Sequence, residues 1–231
     1  MTTTVARVLT VCMAFVAIAV QAQPVAFTNP LFQTSATAVG GSSADFQFAD
    51  STTSPLPLVS SAVAFDASNF AAGAGIAAAG LLSTDAEANS VAGLTSATGS
   101  SEFTGEFAGG GFFTFLLGYT SQNFMDPTAY SASTLLFQVT SNGVTLASQI
   151  VPVAPAFSFS SFIPAGSNTF DLFLSSEAST LTGGNAQNIA SVTFQVAQVV
   201  PEPTTWLLMV LGVVPLASRA RALSARRSAF S

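Results

Sequence analysis

The sequence predicts an all-β protein, most simply an antiparallel β-sandwich, with a jelly roll as one form such a sandwich can take. Three observations predict it. Short runs alternating large apolar with polar residues recur between Gln23 and about Gln198, bounded by Gly, Pro, Asn and Ser. The chain carries 21 Phe, many on alternate positions, enough for a sizeable core despite only 7% charged residues. Helix signals are confined to the two ends, where a signal helix and a short transmembrane helix are expected.

Residues 1–22 have the layout of a secretory signal. Arg7 supplies the positive start and Val8 to Val20 the apolar run, too short for a comfortable transmembrane helix. Val20-Gln21-Ala22 is a small-residue cleavage site, so signal peptidase is expected to cut between Ala22 and Gln23. Cys12 is the only cysteine. Val11 precedes it where a lipoprotein signal needs Gly or Ala, so it reads as an inert residue of the apolar run.

Residues 23–198 form the expected exported domain. Phe46 and Phe48 alternate with Gln47. Residues 71–99 are Ala-rich, but glycines in AAGAGIAAAG cost about 1 kcal/mol each inside a helix, so strands are favoured. Gly109-Gly110-Gly111 precedes Phe113, Phe115 and Leu117, and reads as a turn or bulge rather than a phosphate loop. Leu135, Phe137 and Val139 lead into Asn142-Gly143, and Val144, Leu146 and Ile150 lead out. A two-residue Asn-Gly turn needs positive φ at both positions, which predicts a hairpin with Val139 facing Leu146 and both apolar sets on one face. Phe157 and Phe159, a turn at Pro164 to Ser167, then Phe170, Leu172 and Leu174 follow, with Asp171 and Phe173 outward. Val192, Phe194 and Val196 mark the last strand. Pro55-Leu56-Pro57 and Pro152 to Pro155 read as loops or strand edges. The phenylalanines as a class are expected in the core.

Charge narrows the functions. Residues 23–200 contain ten acids and no Lys, Arg or His. Ion pairs within the domain are therefore excluded, and nucleic acid is a disfavoured partner because phosphate contacts need a basic footprint. Without His or Cys, the common nucleophile–base pairs and thiolate or imidazole metal sites are excluded as well.

Carboxylates are the remaining catalytic kit. Glu102 and Glu106 lie four apart, so on a strand both project from one face, and glycoside hydrolysis uses two acids at a set separation. A solvated strand face explains them as well, and no catalytic residue is assigned. Asp85, Glu87 and Asn89 offer alternating oxygen ligands of the kind calcium takes, but the turn Gly and distal Glu of a full calcium loop are missing. Asp45, Asp50 or Asp126 could join such a site in three dimensions. No cofactor is expected beyond calcium as the one candidate.

Residues 199–231 have a different texture. Val199 to Pro203 is a short stiff linker containing Pro201, Glu202 and Pro203. Residues 206–217 are apolar, and Arg219, Arg221, Arg226 and Arg227 close the chain, four of its five basic residues. Twelve helical residues span only about 18 Å against a hydrocarbon core of roughly 30 Å. Such a span is tolerated through bilayer thinning and snorkelling, with the arginines held on the cytoplasmic side. The tripeptide, the short Leu-rich span with Gly212, the Arg cluster and an N-terminal signal, in that order, resemble the PEP-CTERM sorting signal of exported Gram-negative proteins. The resemblance covers about residues 200–227. The arginines are interspersed with Ala, Leu and Ser rather than contiguous. The resemblance implies an exosortase as partner, cleaving near Pro201-Glu202-Pro203 and delivering the protein to the cell surface or matrix, in association with extracellular polysaccharide. The expectation is a non-enzymatic exported protein, tethered to the inner membrane as a precursor after passing the secretion translocon. A carbohydrate-binding sandwich and a carboxylate glycosidase are the alternatives.

Overall fold

The computed structural model describes residues 21–66 and 68–200. Residues 1–20 of the expected signal segment 1–22, the motif Pro201, Glu202 and Pro203, the span 206–217 and Arg219, Arg221, Arg226 and Arg227 lie outside them. Ala22 and Gln23 fall in a short first strand, β1 (Gln21–Pro24).

Residues 24–198 form one compact unit built wholly of strands. They are β2 (Thr28–Gly40), β3 (Ser43–Asp50), β4 (Leu58–Asp66), β5 (Asn69–Ala78), β6 (Leu81–Ser90), β7 (Thr95–Ala108), β8 (Gly111–Met125), β9 (Ala129–Ser141), β10 (Val144–Val151), β11 (Ala154–Ile163), β12 (Ser167–Thr180) and β13 (Gly184–Val200). One sheet runs β11-β8-β13-β6-β5-β4 and the other β10-β9-β12-β7-β2-β3, with antiparallel pairing. The described residues thus form an all-β sandwich, as the alternation predicts. The Ala-rich stretch is strand throughout: its small residues alternate inward, where Ala71, Ala77, Ala86 and Ala88 are fully buried.

The space between the sheets changes character along the strands. At one end lies a cluster of large side chains that includes Phe103, Phe113, Phe115, Phe137, Phe170, Leu172 and Leu174. At the other end the buried apolar residues are all alanine, including Ala36, Ala62, Ala71, Ala88, Ala97 and Ala178. Single strands show the switch: β12 turns inward Phe170, Leu172 and Leu174, then Ser176, Ala178 and Thr180. A belt of hydroxyls joins the sheets between the two zones. Thr34 and Ser60 share a 2.7 Å hydrogen bond, Thr84 and Ser176 one of 2.6 Å, and Ser101 donates to the Ser83 carbonyl at 2.8 Å. Burial of large rings drives association at the thick end. At the thin end the absence of side-chain volume lets the backbones approach, below the roughly 10 Å at which sheets usually stack.

Two expectations need correction. The Asn142-Gly143 turn forms with positive φ at both residues (50° and 79°), but a bulge between Thr145 and Ala147 shifts the register. Val139 therefore faces Ala147, not Leu146, and Ile150 pairs with Leu136 on the outer face. One extra residue moves every following side chain to the other side of a ribbon. Only Val151 of β10 is buried in the core. The second correction concerns phenylalanine. Phe46 and Phe48 are 63% and 53% exposed, and Phe65, Phe112, Phe124 and Phe162 are exposed too. Alternation identifies a strand, but not which of its faces is covered.

Candidate functional site

Four of the acids hold edges and loops. The Asp45 carboxylate accepts from the Val63 N–H at 3.0 Å, tying edge strand β3 of one sheet to edge strand β4 of the other. Asp66 accepts from the backbone and hydroxyl of Ser42 at the β2–β3 turn. Asp50 caps the loop after β3, accepting from the N–H groups of Thr52 and Thr53, each at 3.0 Å, and from both hydroxyls. The Thr52 hydroxyl leads the causes that hold its carboxyl below the usual range. Asp126 accepts from the Asn185 N–H at 2.8 Å.

A second group lies on the outer face of the β10–β3 sheet. Glu102 and Glu106 do share a face of β7, as their spacing predicts. Thr104, between them, pairs with Asp171 of β12, whose side chain projects from the same face. Burial, and behind it the charge of Asp171, pushes the Glu102 carboxyl above its usual range. Glu106 accepts from Asn29 Nδ2 at 3.2 Å. These acids stand on a sheet face beside Gln33, Ser100 and Phe173. Neither the groove beside Glu87 nor the groove over Gly118 includes them.

The third group is on the outer face of the other sheet. Asp85, Glu87 and Asn89 alternate along β6 opposite Ile189, Gln187 and Asn185 of β13. Burial raises the Asp85 carboxyl, and its Oδ1 has no hydrogen-bond partner. Glu87, Asp126, Asn185 and Gln187 line an open groove of about 300 Å³ with Phe124 and Met125. The structure thus brings Asp126 towards Glu87, whereas Asp45 and Asp50 act elsewhere. Asp126 already serves the Asn185 backbone. Among the described residues no three acids gather in a cluster suited to a metal ion.

A larger groove, about 400 Å³, crosses the outer face of β8, β11 and β13 and contains no charged residue. Its floor is Gly118. A Cβ there would lie 2.9 Å from Thr193 Oγ1 and 3.2 Å from the Pro155 carbonyl oxygen, so only glycine keeps the floor open. Leu116 and Pro155 give it apolar walls, and Thr193 and Gln195 supply a hydroxyl and an amide. A bulge between Ala154 and Phe157 re-aims β11 at its margin. The arrangement suits a neutral ligand with apolar faces and hydroxyls.

Sequence reasoning missed this groove and a partly buried polar chain on the inner side of β8. Tyr119 Oη donates to Ser133 Oγ at 2.7 Å, Ser133 to Ser121 at 2.6 Å, and Asn188 Nδ2 to Ser121 at 3.2 Å and to Asn123. Burial raises the Tyr119 phenol. The signal for the chain was visible as Tyr119, Ser121 and Asn123 continuing the inward alternation of Phe113, Phe115 and Leu117. The groove gave none, because Gly118, Pro155 and Thr193 meet only through pairing across distant strands.

No protein-family model matches the chain, and no curated protein matches its sequence.

Proposed function

We propose that this chain is an exported, non-catalytic protein of the cell surface or extracellular matrix, sorted by an exosortase through residues 199–231. The observation that carries the reading is the order of parts in the sequence. An export signal with a cleavage site at Ala22 and Gln23 comes first. A domain with ten acids and no base follows. Pro201-Glu202-Pro203, a short apolar span and Arg219, Arg221, Arg226 and Arg227 come last. The arginines hold the tail on the cytoplasmic side while the domain crosses. Proline restricts its own backbone and that of the preceding residue, keeping the tripeptide extended for a protease cleft. Four acids of the domain support the non-catalytic part, being engaged in holding edges and loops.

We read the finer architecture as a jelly roll. Eight consecutive strands, β6 to β13, fall into two four-stranded halves, β11-β8-β13-β6 and β10-β9-β12-β7. Strands β2 to β5 extend both sheets on one side. Successive connections mostly cross between sheets, the habit of that fold.

The test is expression of the full chain in cells with and without the exosortase, followed by intact mass of the protein recovered from membrane, surface and medium. The expected result is loss of the N-terminal signal in both strains, and loss of the C-terminal tail with release from the membrane only when the exosortase is active. Retention of residues 206–231 in cells with the active enzyme overturns the sorting reading.

The groove over Gly118 favours a second reading, a carbohydrate-binding sandwich that associates with the matrix polysaccharide. Sugars present apolar faces and hydroxyls, which Leu116, Pro155, Thr193 and Gln195 match. Binding across a glycan panel should be lost in Gly118→Val, whose side chain fills the floor. A variant that binds as the parent does, or a panel with no ligand, removes this reading.

A further inference from the structure

The charges of the domain are unevenly placed. Asp126 and Asp171 bracket 44 consecutive residues, 127–170, with no charged side chain. This segment runs from β9 through β10 and β11 into the start of β12, and so includes β10 and β11, the last strands of their sheets on one flank. The opposite flank is protected. There β3 and β4 carry Asp45, Asp50 and Asp66, and the Asp45 carboxylate occupies the Val63 N–H. Inward charges of this kind block strand addition. Strand β10 carries no inward charge: VTLASQIV contains no Pro and no charged residue. Its bulge lies near the turn, between Thr145 and Ala147, and Ala147 to Val151 run in unbroken register with β9 beyond it. Val144 is 63% and Ile150 69% exposed, and Leu146, Ser148 and Gln149 are exposed beside them.

We propose that β10 is a self-association edge, and that its occupant is β10 of a second copy, paired antiparallel about a two-fold axis. An unpaired edge offers backbone donors and acceptors, which another extended strand satisfies. The charge pattern selects the second copy. A basic partner would be drawn to the acid-bearing faces of the sheets. Two copies of a base-free, acidic domain repel each other least where neither presents a charge at the contact, and β10 lies in that region. Antiparallel pairing of identical strands closes as a dimer and places Val144 of each copy towards the Ile150 end of the other. The proposal does not depend on how either terminus is processed.

Sedimentation equilibrium of the full chain in detergent, with identical termini in every variant, tests this. The double variant Val144→Glu/Ile150→Glu puts like charges across the two-fold axis and should weaken dimerisation about tenfold or more. Val63→Glu, on the protected flank, should leave the dissociation constant within about twofold of the parent. Salt should strengthen the dimer, because it screens repulsion between two acidic domains and no ion pair is lost. Hydrogen exchange of the unaltered chain gives a readout independent of variant folding: β10 amides should gain protection as concentration rises, while β4 amides do not change. Equal dimerisation of the double variant and the parent, or β10 amides that exchange equally fast at all concentrations, overturns the proposal.

Discussion

Gly73 of β5 and Thr98 of β7 pass each other with no side chain between them. A Cβ on Gly73 would overlap the Thr98 carbonyl oxygen and lie 2.8 Å from that of Thr37. Gly99 answers from the facing sheet, where a Cβ would overlap the Ala74 carbonyl oxygen and lie 2.6 Å from that of Asp85. The obstructing atoms are backbone and cannot rotate aside. Gly73→Ala and Gly99→Ala should each destabilise the fold by about 1–3 kcal/mol or more, since two sheets must separate to admit one methyl. Urea unfolding followed by far-UV circular dichroism measures this. A neutral Gly99→Ala would mean the sheets are further apart than the glycines indicate.

The thick end obeys the opposite rule. Phe170 lies within 6.0 Å, centroid to centroid, of five other rings: Phe27, Phe103, Phe115, Phe137 and Phe194. Phe170→Ala should cost about 3–5 kcal/mol, the range for a ring removed from a packed core. Phe48→Ala, on the outer face of β3, should change stability by no more than about 0.5 kcal/mol. A large loss from Phe48→Ala would show that its face is covered in solution.

The hydroxyl belt allows a double-mutant cycle. Ser176→Ala leaves Thr84 Oγ1 buried without its 2.6 Å partner, and should cost about 1–3 kcal/mol. Adding Thr84→Val removes the stranded hydroxyl while keeping its shape, so the double variant should recover part of that loss. Denaturant midpoints of the four proteins give the coupling. Strictly additive losses would mean the two hydroxyls do not depend on each other.

Strands were legible because side-chain alternation is local. The Asn142-Gly143 turn was legible because so few residues tolerate positive φ twice. The face that β10 presents was not, because the bulge at Thr145–Ala147 depends on how β9 pairs, and one residue of slip exchanges inside for outside. Exposure of Phe46 and Phe48 was hidden for a related reason. Strand β3 pairs with β2 so that Phe46 stands beside Thr37 and Phe48 beside Ser35, on the outer side of the sheet. The shared face of Glu102 and Glu106 followed from spacing alone. The approach of Asp171 to Glu102 did not, since it needs the register between β7 and β12. The small residues at 71–99 were readable as strand but not as a seam, because a seam exists only when Gly73 and Gly99 meet from different sheets.

Glu102 provides a pH-dependent test. Its carboxyl is raised above the ordinary value of 4.5 by burial, with a further push from Asp171. The folded state therefore binds its proton more tightly than the unfolded chain does. Between the raised value and 4.5 the folded state carries more protons, so stability should increase as pH falls through that window. At neutral pH the ionised carboxylate is a net cost, moderated by water because the side chain is only half-buried. Glu102→Gln should therefore be more stable than the parent at pH 7, and the two should converge once the pH is below 4.5. Glu177→Gln removes the same formal charge from another position on that sheet face and serves as the control for general self-repulsion. Thermal unfolding of the three proteins at a series of pH values reads the difference. If Glu102→Gln is no more stabilising than Glu177→Gln at neutral pH, the burial of Glu102 and its nearness to Asp171 have no energetic consequence beyond net charge.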